Sequence, residues 1–463
     1  MRSSTRLFLA TLASLLALGC GDGSGAGSHP DGGGVDGGPV DAGGPDGGLE
    51  DAGSPDLGDD AGVVPIYEDL RPNYVFAEAA DVEVRTMDVF AIWWDRRFEH
   101  EEDVPTLFAR LMDVRRDCLG RLGMADPPNM ADGFYYNVYI HHGADDVFPE
   151  GWGNGQGTNR FGHPFLTMPP GAARDPSNVA HEGFHIFQYE ATSPGFAYRG
   201  DSQWFIETTA QHYAASRYPD VVGAFVEVGA LSSNPQLTMW HSFGNEAPGD
   251  ARDWLYQVRQ YGMHAMLFYF EQEGVDPAIF TEGFYAGTSL LPQEYLAQEI
   301  GAELPELFAD WAAHNTAGFD YLTPAQAERA ALELDLVADA ENIFPFAAEL
   351  SGPNAEWQRP AERLPRSWAY NVIRVTLDAP AELHFELEGD ATGSEGATSR
   401  FQLRAVVPDD GGFAIAEGTM DDATNGRSVV SSPAGDTFFV VASVPDHYRG
   451  NQTYGYRFRV TGG

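Results

Sequence analysis

Near residue 344 the hydrophobic period of this chain changes, and that change restricts its possible folds more than any other feature. In ELHFELE, Leu383, Phe385 and Leu387 alternate with Glu382, His384, Glu386 and Glu388. A period of two puts one face of a strand inward. FQLRAVV, TFFVVAS and YGYRFRV supply further strands, separated by Gly, Asp and Pro turns. Upstream of 344 most apolar residues recur at helical spacing, with a few short strands between. The expected class is α+β, with a mixed helical region ahead of an antiparallel β-sandwich domain over 344–463.

Within the mixed region, VFAIWW at 89–94 and YYNVYI at 135–140 read as buried strands flanking an amphipathic helix over 103–122. A glycine-rich stretch leads into a short strand, FLTM at 165–168, stopped by Pro169 and Pro170. The centre is helical. Ser177 is the expected N-cap of one helix and Asp201 of the next, and a third long helix is expected over 252–273. Three shorter ones follow, opening at Asp276-Pro277 and lying at 305–315 and 324–334. Cys118 falls on the stripe Leu107, Leu111, Val114, Cys118, Leu122 and is read as core.

The first residues have a different purpose. Arg2 and Arg6 precede a short apolar run, Leu7 to Leu18, that ends in Ala17-Leu18-Gly19-Cys20. The run is too short for a stable membrane span and resembles an export signal ending in a bacterial lipobox, with Cys20 as the lipid-attachment residue. After it, Gly, Asp, Pro, Ala and Ser dominate to residue 63, a composition too poor in apolar surface to offset its ordering entropy. Such a tether spans roughly 35 Å root-mean-square. The expected organisation is a signal peptide at 1–19, a tether at 20–63, a folded domain at 64–343 and the β-domain. The location that follows is the outer membrane or cell surface, with membrane contact only through the lipid anchor. A net charge of -42 argues against nucleic acid as a partner, because phosphate recognition needs clustered Lys and Arg.

Chemistry concentrates in NVAHEGFHIFQYE. His181 and His185 stand four apart, one helical turn on the same face, so both imidazoles can reach one ion. Zinc accepts neutral histidine nitrogen, prefers four ligands, and in catalytic sites leaves one position for water. Glu182 follows His181 directly and can act on that water as a general base. A third ligand is offered by Glu207 in QWFIETTAQ, with His212 and Asp201 as other possibilities. Glu190 is a poor rival, since a continued helix turns it away from the histidine face. His141, His142 and His163 read as loop or strand-end residues. A longer zinc motif with glycine and a third histidine is absent, because Gln188 and Ala191 occupy those places.

His181-Glu182-x-x-His185 followed by an aromatic-flanked Glu207 on a second helix resembles the gluzincin-type zinc metallopeptidases, over about residues 85–330. It is also similar to a group of secreted bacterial proteins that join such a core to a β-rich tail. The resemblance implies a zincin-like catalytic domain, Zn2+ held by His181, His185 and Glu207, and water activation by Glu182. It also implies that the strand before the motif helix, with Leu166, Thr167 and Met168, pairs with the substrate backbone. An oxyanion donor is expected on a later helix, at Tyr261 or His264, with Tyr261 preferred. The chain departs from the pattern in three ways: it has no Gly-x-Met-Glu-Asn motif, it carries Gln211 where an Asp would orient a histidine, and the spacing from His185 to Glu207 is longer.

The expected function is a surface-tethered zinc peptidase acting inside peptide or protein chains with a metal-activated water. The alternative is a surface lipoprotein that keeps the fold without catalysis and binds protein or glycan through its β-domain.

Overall fold

The computed structural model describes residues 82–96, 100–127, 130, 135–141, 154–158, 164–189, 191–221, 225–242, 259–337, 344–360 and 363–463. Cys20, the segments 1–19 and 20–63, and the histidines His142 and His163 lie outside the described residues, as does Glu190. Among the described residues, no helix is long and apolar enough to cross a membrane.

The chain packs as two compact units, one of the described residues up to 109 and of 128–174, the other of those in 110–127 and 175–463. The first unit is built on a five-stranded mixed sheet. Its strands are β1 (Val82–Met87), β2 (Phe90–Asp95), β3 (Tyr136–Ile140), β4 (Gly155–Thr158) and β5 (Pro164–Met168), in the order β1-β2-β3-β5-β4. β2, β3 and β5 run parallel, and β1 and β4 pair antiparallel at the two edges. β2 and β3 are buried along their whole length, as central parallel strands must be. A helix, α1 (Asp103–Gly120), begins in this unit and continues into the second. A short α2 (Pro170–Arg174) closes the first unit, with Arg174 paired to Asp103 at 2.7 Å.

β5 corrects one expectation. Leu166, Thr167 and Met168 do not form an edge: β3 hydrogen-bonds one side of β5 and β4 the other. Both rows of its backbone groups are already used, so no substrate strand can be added there. Among the described residues, the edge strands of this sheet are β1 and β4.

The second unit continues with α3 (Pro176–Gln188), α4 (Gln203–Arg217), α5 (Val226–Ser233), α6 (His264–Gln272), α7 (Ile279–Tyr285), α8 (Pro292–Ile300), α9 (Leu304–Thr316) and α10 (Pro324–Val337). β-structure follows: β6 (Ala348–Leu350), β7 (Asn354–Gln358), β8 (Ala369–Leu377), β9 (Ala381–Gly389), β10 (Phe401–Asp409), β11 (Gly412–Glu417), β12 (Thr419–Met420), β13 (Asn425–Ser432), β14 (Gly435–Ser443) and β15 (Tyr456–Gly462). Two sheets result, β11-β10-β14-β8-β6 and β12-β13-β9-β15-β7, antiparallel except for β6 beside β8. The class is thus α+β with a β-rich C-terminal region.

The alternation that marked the strands assigns their faces. Ile373 and Val375 of β8, Leu403 of β10 and Phe439 of β14 share a core with Leu383 and Phe385 of β9 and Phe458 of β15. Phe385 stacks on Phe439 at 4.5 Å, joining the two sheets. The opposite face of the first sheet carries Tyr370, Val372, Val406 and Val440, and it shares a second core with Trp204, Phe270, Phe308 and Trp311 of the helices. Arg404 of β10 is buried, donating to Asp310 Oδ1 at 2.5 Å and Glu306 Oε2 at 2.7 Å on α9. The pattern change near 344 therefore marks a change of secondary structure, while the packing unit runs straight through it.

Candidate metal centre

The motif helix begins two residues earlier than a Ser177 cap would start it. Asp175 is the N-cap, its carboxylate accepting from the backbone N–H of Ser177 at 2.9 Å and of Asn178 at 3.4 Å, with Pro176 at the first helical position. Every residue from Val179 to Gln188 is buried, so the helix has no solvent face on which histidines could lie idle. Gly183 allows this burial. A Cβ there would stand 3.3 Å from Val114 Cγ1 and 3.5 Å from Leu111 Cδ2 of α1. The second helix, α4, is entered through a 3₁₀ turn at Gly200–Ser202 without the expected Asp201 cap. Asp201 instead accepts from the backbone N–H of Gly450 at 2.8 Å.

The two helices bring three donor atoms together. His181 Nε2 and His185 Nε2 are 3.1 Å apart, and each is 3.3 Å from Glu207 Oε2. All three side chains are buried. Four ligands held tetrahedrally at about 2.0–2.1 Å from a zinc ion stand about 3.3–3.4 Å from one another. The observed triangle has nearly those edges, so its three atoms would suit one such ion.

The hydrogen bonds behind the imidazoles decide which nitrogen faces inward. Gln188 donates from Nε2 to Ile206 O at 3.2 Å and to Thr209 Oγ1 at 2.6 Å, which turns its Oε1 toward His185. His185 then donates from Nδ1 to that oxygen at 2.7 Å. His181 donates from Nδ1 to Gln211 Oε1 at 2.8 Å. With both Nδ1 protons so used, each neutral imidazole presents its Nε2 lone pair to the Glu207 carboxylate. Three acceptors at this spacing repel one another unless a cation lies between them, and the donor set fits zinc. A proton can partly fill that place. Burial opposes charge on His185, but Glu207, aided by Glu182, outweighs it and raises the His185 pKa. Burial likewise opposes the Glu207 carboxylate, yet His185 and His181 hold its pKa far below the carboxylate range.

Among the other expected residues, Glu182 is buried on α3 directly after His181. Tyr261 is buried with its ring centroid 5.9 Å from that of His181. His264 lies deeper, its ring against Phe225 at 5.0 Å and Phe268 at 5.7 Å, donating from Nδ1 to Tyr261 O at 2.8 Å. Burial pushes its pKa down to about 3, so it stays neutral. His212 pairs with Glu271 at 3.4 Å beside Phe268, apart from the three donors. His141 is buried at the end of β3, in the first unit. Among the described residues, His181, His185 and Glu207 are the one group of metal-ligating side chains so arranged. Sequence reasoning missed the role of Gln188 and undervalued Gln211. Their signal was position, three residues after His185 and four after Glu207.

Comparison with known proteins adds a family and little more. No curated protein matches the chain. A solved structure, the pre-peptidase C-terminal domain of collagenase from Bacillus anthracis, is similar at 10% identity and a TM-score of 0.18, covering 26% of this chain and 98% of that one. The model of a family of unknown function, DUF6055, matches residues 120–457, a stretch that includes α3, α4 and nearly all of the β-rich region. The chain belongs to the DUF6055 family, whose function is unknown.

Proposed function

We propose that this protein is a zinc-dependent peptidase of gluzincin type, with a zincin-like catalytic lobe, exported and held at the bacterial surface by lipid on Cys20. The observation that carries the reading is the buried triangle of His181 Nε2, His185 Nε2 and Glu207 Oε2 with edges of 3.1–3.3 Å, with Glu182 buried directly after His181 on α3. Bound there, zinc would supply a Lewis acid for the scissile carbonyl and lower the pKa of a water. His181 and His185 would hold the ion as neutral ligands, kept in that tautomer by Gln211 and Gln188. Glu207 contributes the one negative charge among the three ligands. Glu182 is not a ligand in this scheme; it takes the proton of the attacking water and passes it to the leaving amine. Tyr261 is the preferred donor to the oxyanion, since its ring lies beside that of His181 while His264 is embedded in apolar side chains.

The test compares zinc content and cleavage of unfolded protein for wild type and Glu182→Gln. The expected result is zinc in both proteins and cleavage by wild type alone, with the rate reduced by at least about 10² in the variant. Zinc in both with no cleavage by wild type over a broad peptide panel would instead favour a non-catalytic surface protein.

A further inference from the structure

Arg259 is a buried cation, 2% exposed, and no carboxylate among the described residues pairs with it. Its guanidinium is spent on backbone carbonyls. Nη1 donates to Leu231 O at 3.1 Å and Asn234 O at 3.3 Å, Nη2 to Leu237 O at 3.0 Å, and Nε to Thr238 O at 3.4 Å. These carbonyls belong to the last turn of α5 and the loop behind it. A helix C-terminus leaves carbonyls without intrahelical donors and carries partial negative charge, so a planar group with five N–H donors suits it without a counter-ion.

The same loop is stitched to the β-rich region. Tyr370 N–H donates to Pro235 O, Arg366 N–H to Gln236 O and Met239 N–H to Trp368 O, each at 3.0 Å. Phe344 N–H donates to Ser233 O at 2.8 Å, and Trp240 Nε1 donates to Gly450 O at 3.0 Å. In the other direction, Arg259 stands two residues before Tyr261 in one helical turn. Gln260 O in that turn accepts from Thr208 Oγ1 at 2.7 Å, the residue after Glu207 on α4. Gly262 lies so close to α5 that a Cβ would sit 2.2 Å from Glu227 O.

We propose that Arg259 is a positioning residue: it fixes the turn that presents Tyr261 beside His181 to a loop whose other side is fixed by the β-rich region. The β-region is then a structural part of the reaction centre rather than an appended binding module. The role of Tyr261 in this inference rests on the peptidase reading; the mechanical coupling does not. Lysine cannot replace the fork, since a single ammonium reaches fewer of the four carbonyls.

The test uses the full zinc-loaded chain with Arg259→Met and Arg259→Lys, read by hydrogen exchange and by steady-state kinetics. The expected result is unchanged zinc content, amide exchange in 231–242 and 260–264 faster by about tenfold or more, and no change in α3. On a cleaved peptide, kcat falls on the order of tenfold to a hundredfold while KM stays nearly constant, and Arg259→Lys recovers part of the loss. If Arg259→Met does not fold, the lysine variant decides by the same readings. Unaltered exchange in those segments, loosening that spreads to α3 with loss of zinc, or unaltered kcat despite local loosening would overturn the inference. Wild type that binds zinc but cleaves nothing would end the peptidase reading, and the exchange pattern alone would then decide the coupling.

Discussion

Each histidine of the His181–His185–Glu207 triangle is backed by a neutral amide rather than a carboxylate. Gln211 and Gln188 fix the imidazole rings and tautomers without adding negative charge behind them. Gln211→Leu should keep the fold and weaken zinc binding by about 10- to 100-fold, measured by competition with a chelator. Unchanged affinity would mean that the ring of His181 is held by packing alone. That His181, His185 and Glu207 come together was legible because a four-residue spacing and a second acidic helix are one-dimensional signals. Gln188 was not, because its part depends on Thr209 and the Ile206 carbonyl of another helix. The cap was misplaced for a related reason: Asp175, Ser177 and Asn178 are all good caps in sequence, and Pro176 tips the choice to the residue before it.

Strands with a clean period of two, such as β9 and β15, and the helices α1, α9 and α10 were plain in the sequence. α5 and α8 were not, being short and uneven in pattern. The interior place of β5 was not legible, because strand identity is local but strand neighbours are set by chain segments far apart. The crossing of α5 over the turn before α6 shows what such non-local contacts demand. Gly262→Ala should destabilise the protein toward the upper end of about 1–3 kcal/mol, because the new methyl meets the Glu227 carbonyl rather than a side chain that can turn aside. Urea unfolding measures this, and a stability equal to wild type would contradict the close approach.

At the scale of the molecule, the division at 344 follows the sequence pattern but not the packing, since Trp311 and Phe308 share one core with Trp368 and Val440. That core also shelters titratable groups. Burial pushes His264 down to about 3, and burial with the Arg259 and Arg366 charges does the same for His241. The unfolded chain binds protons on both between the ordinary histidine value of 6.5 and about 3, and the folded chain does not. Stability is therefore fullest above that range and falls as the pH drops through it, by up to ~1.4 kcal/mol per pH unit for each group. Urea midpoints at about pH 7 and about pH 5 should show the loss, and His241→Gln should show less of it. The central claim is that two helices of this chain build a zinc site from His181, His185 and Glu207. It is tested most directly by measuring bound zinc after exhaustive dialysis, in wild type and in Glu207→Gln. The account predicts stoichiometric zinc in the wild type, bound through two imidazoles and one carboxylate at about 2.0–2.2 Å in X-ray absorption, and its loss in the variant. A folded wild-type protein without stoichiometric zinc, or a variant that keeps it unchanged, would contradict that claim.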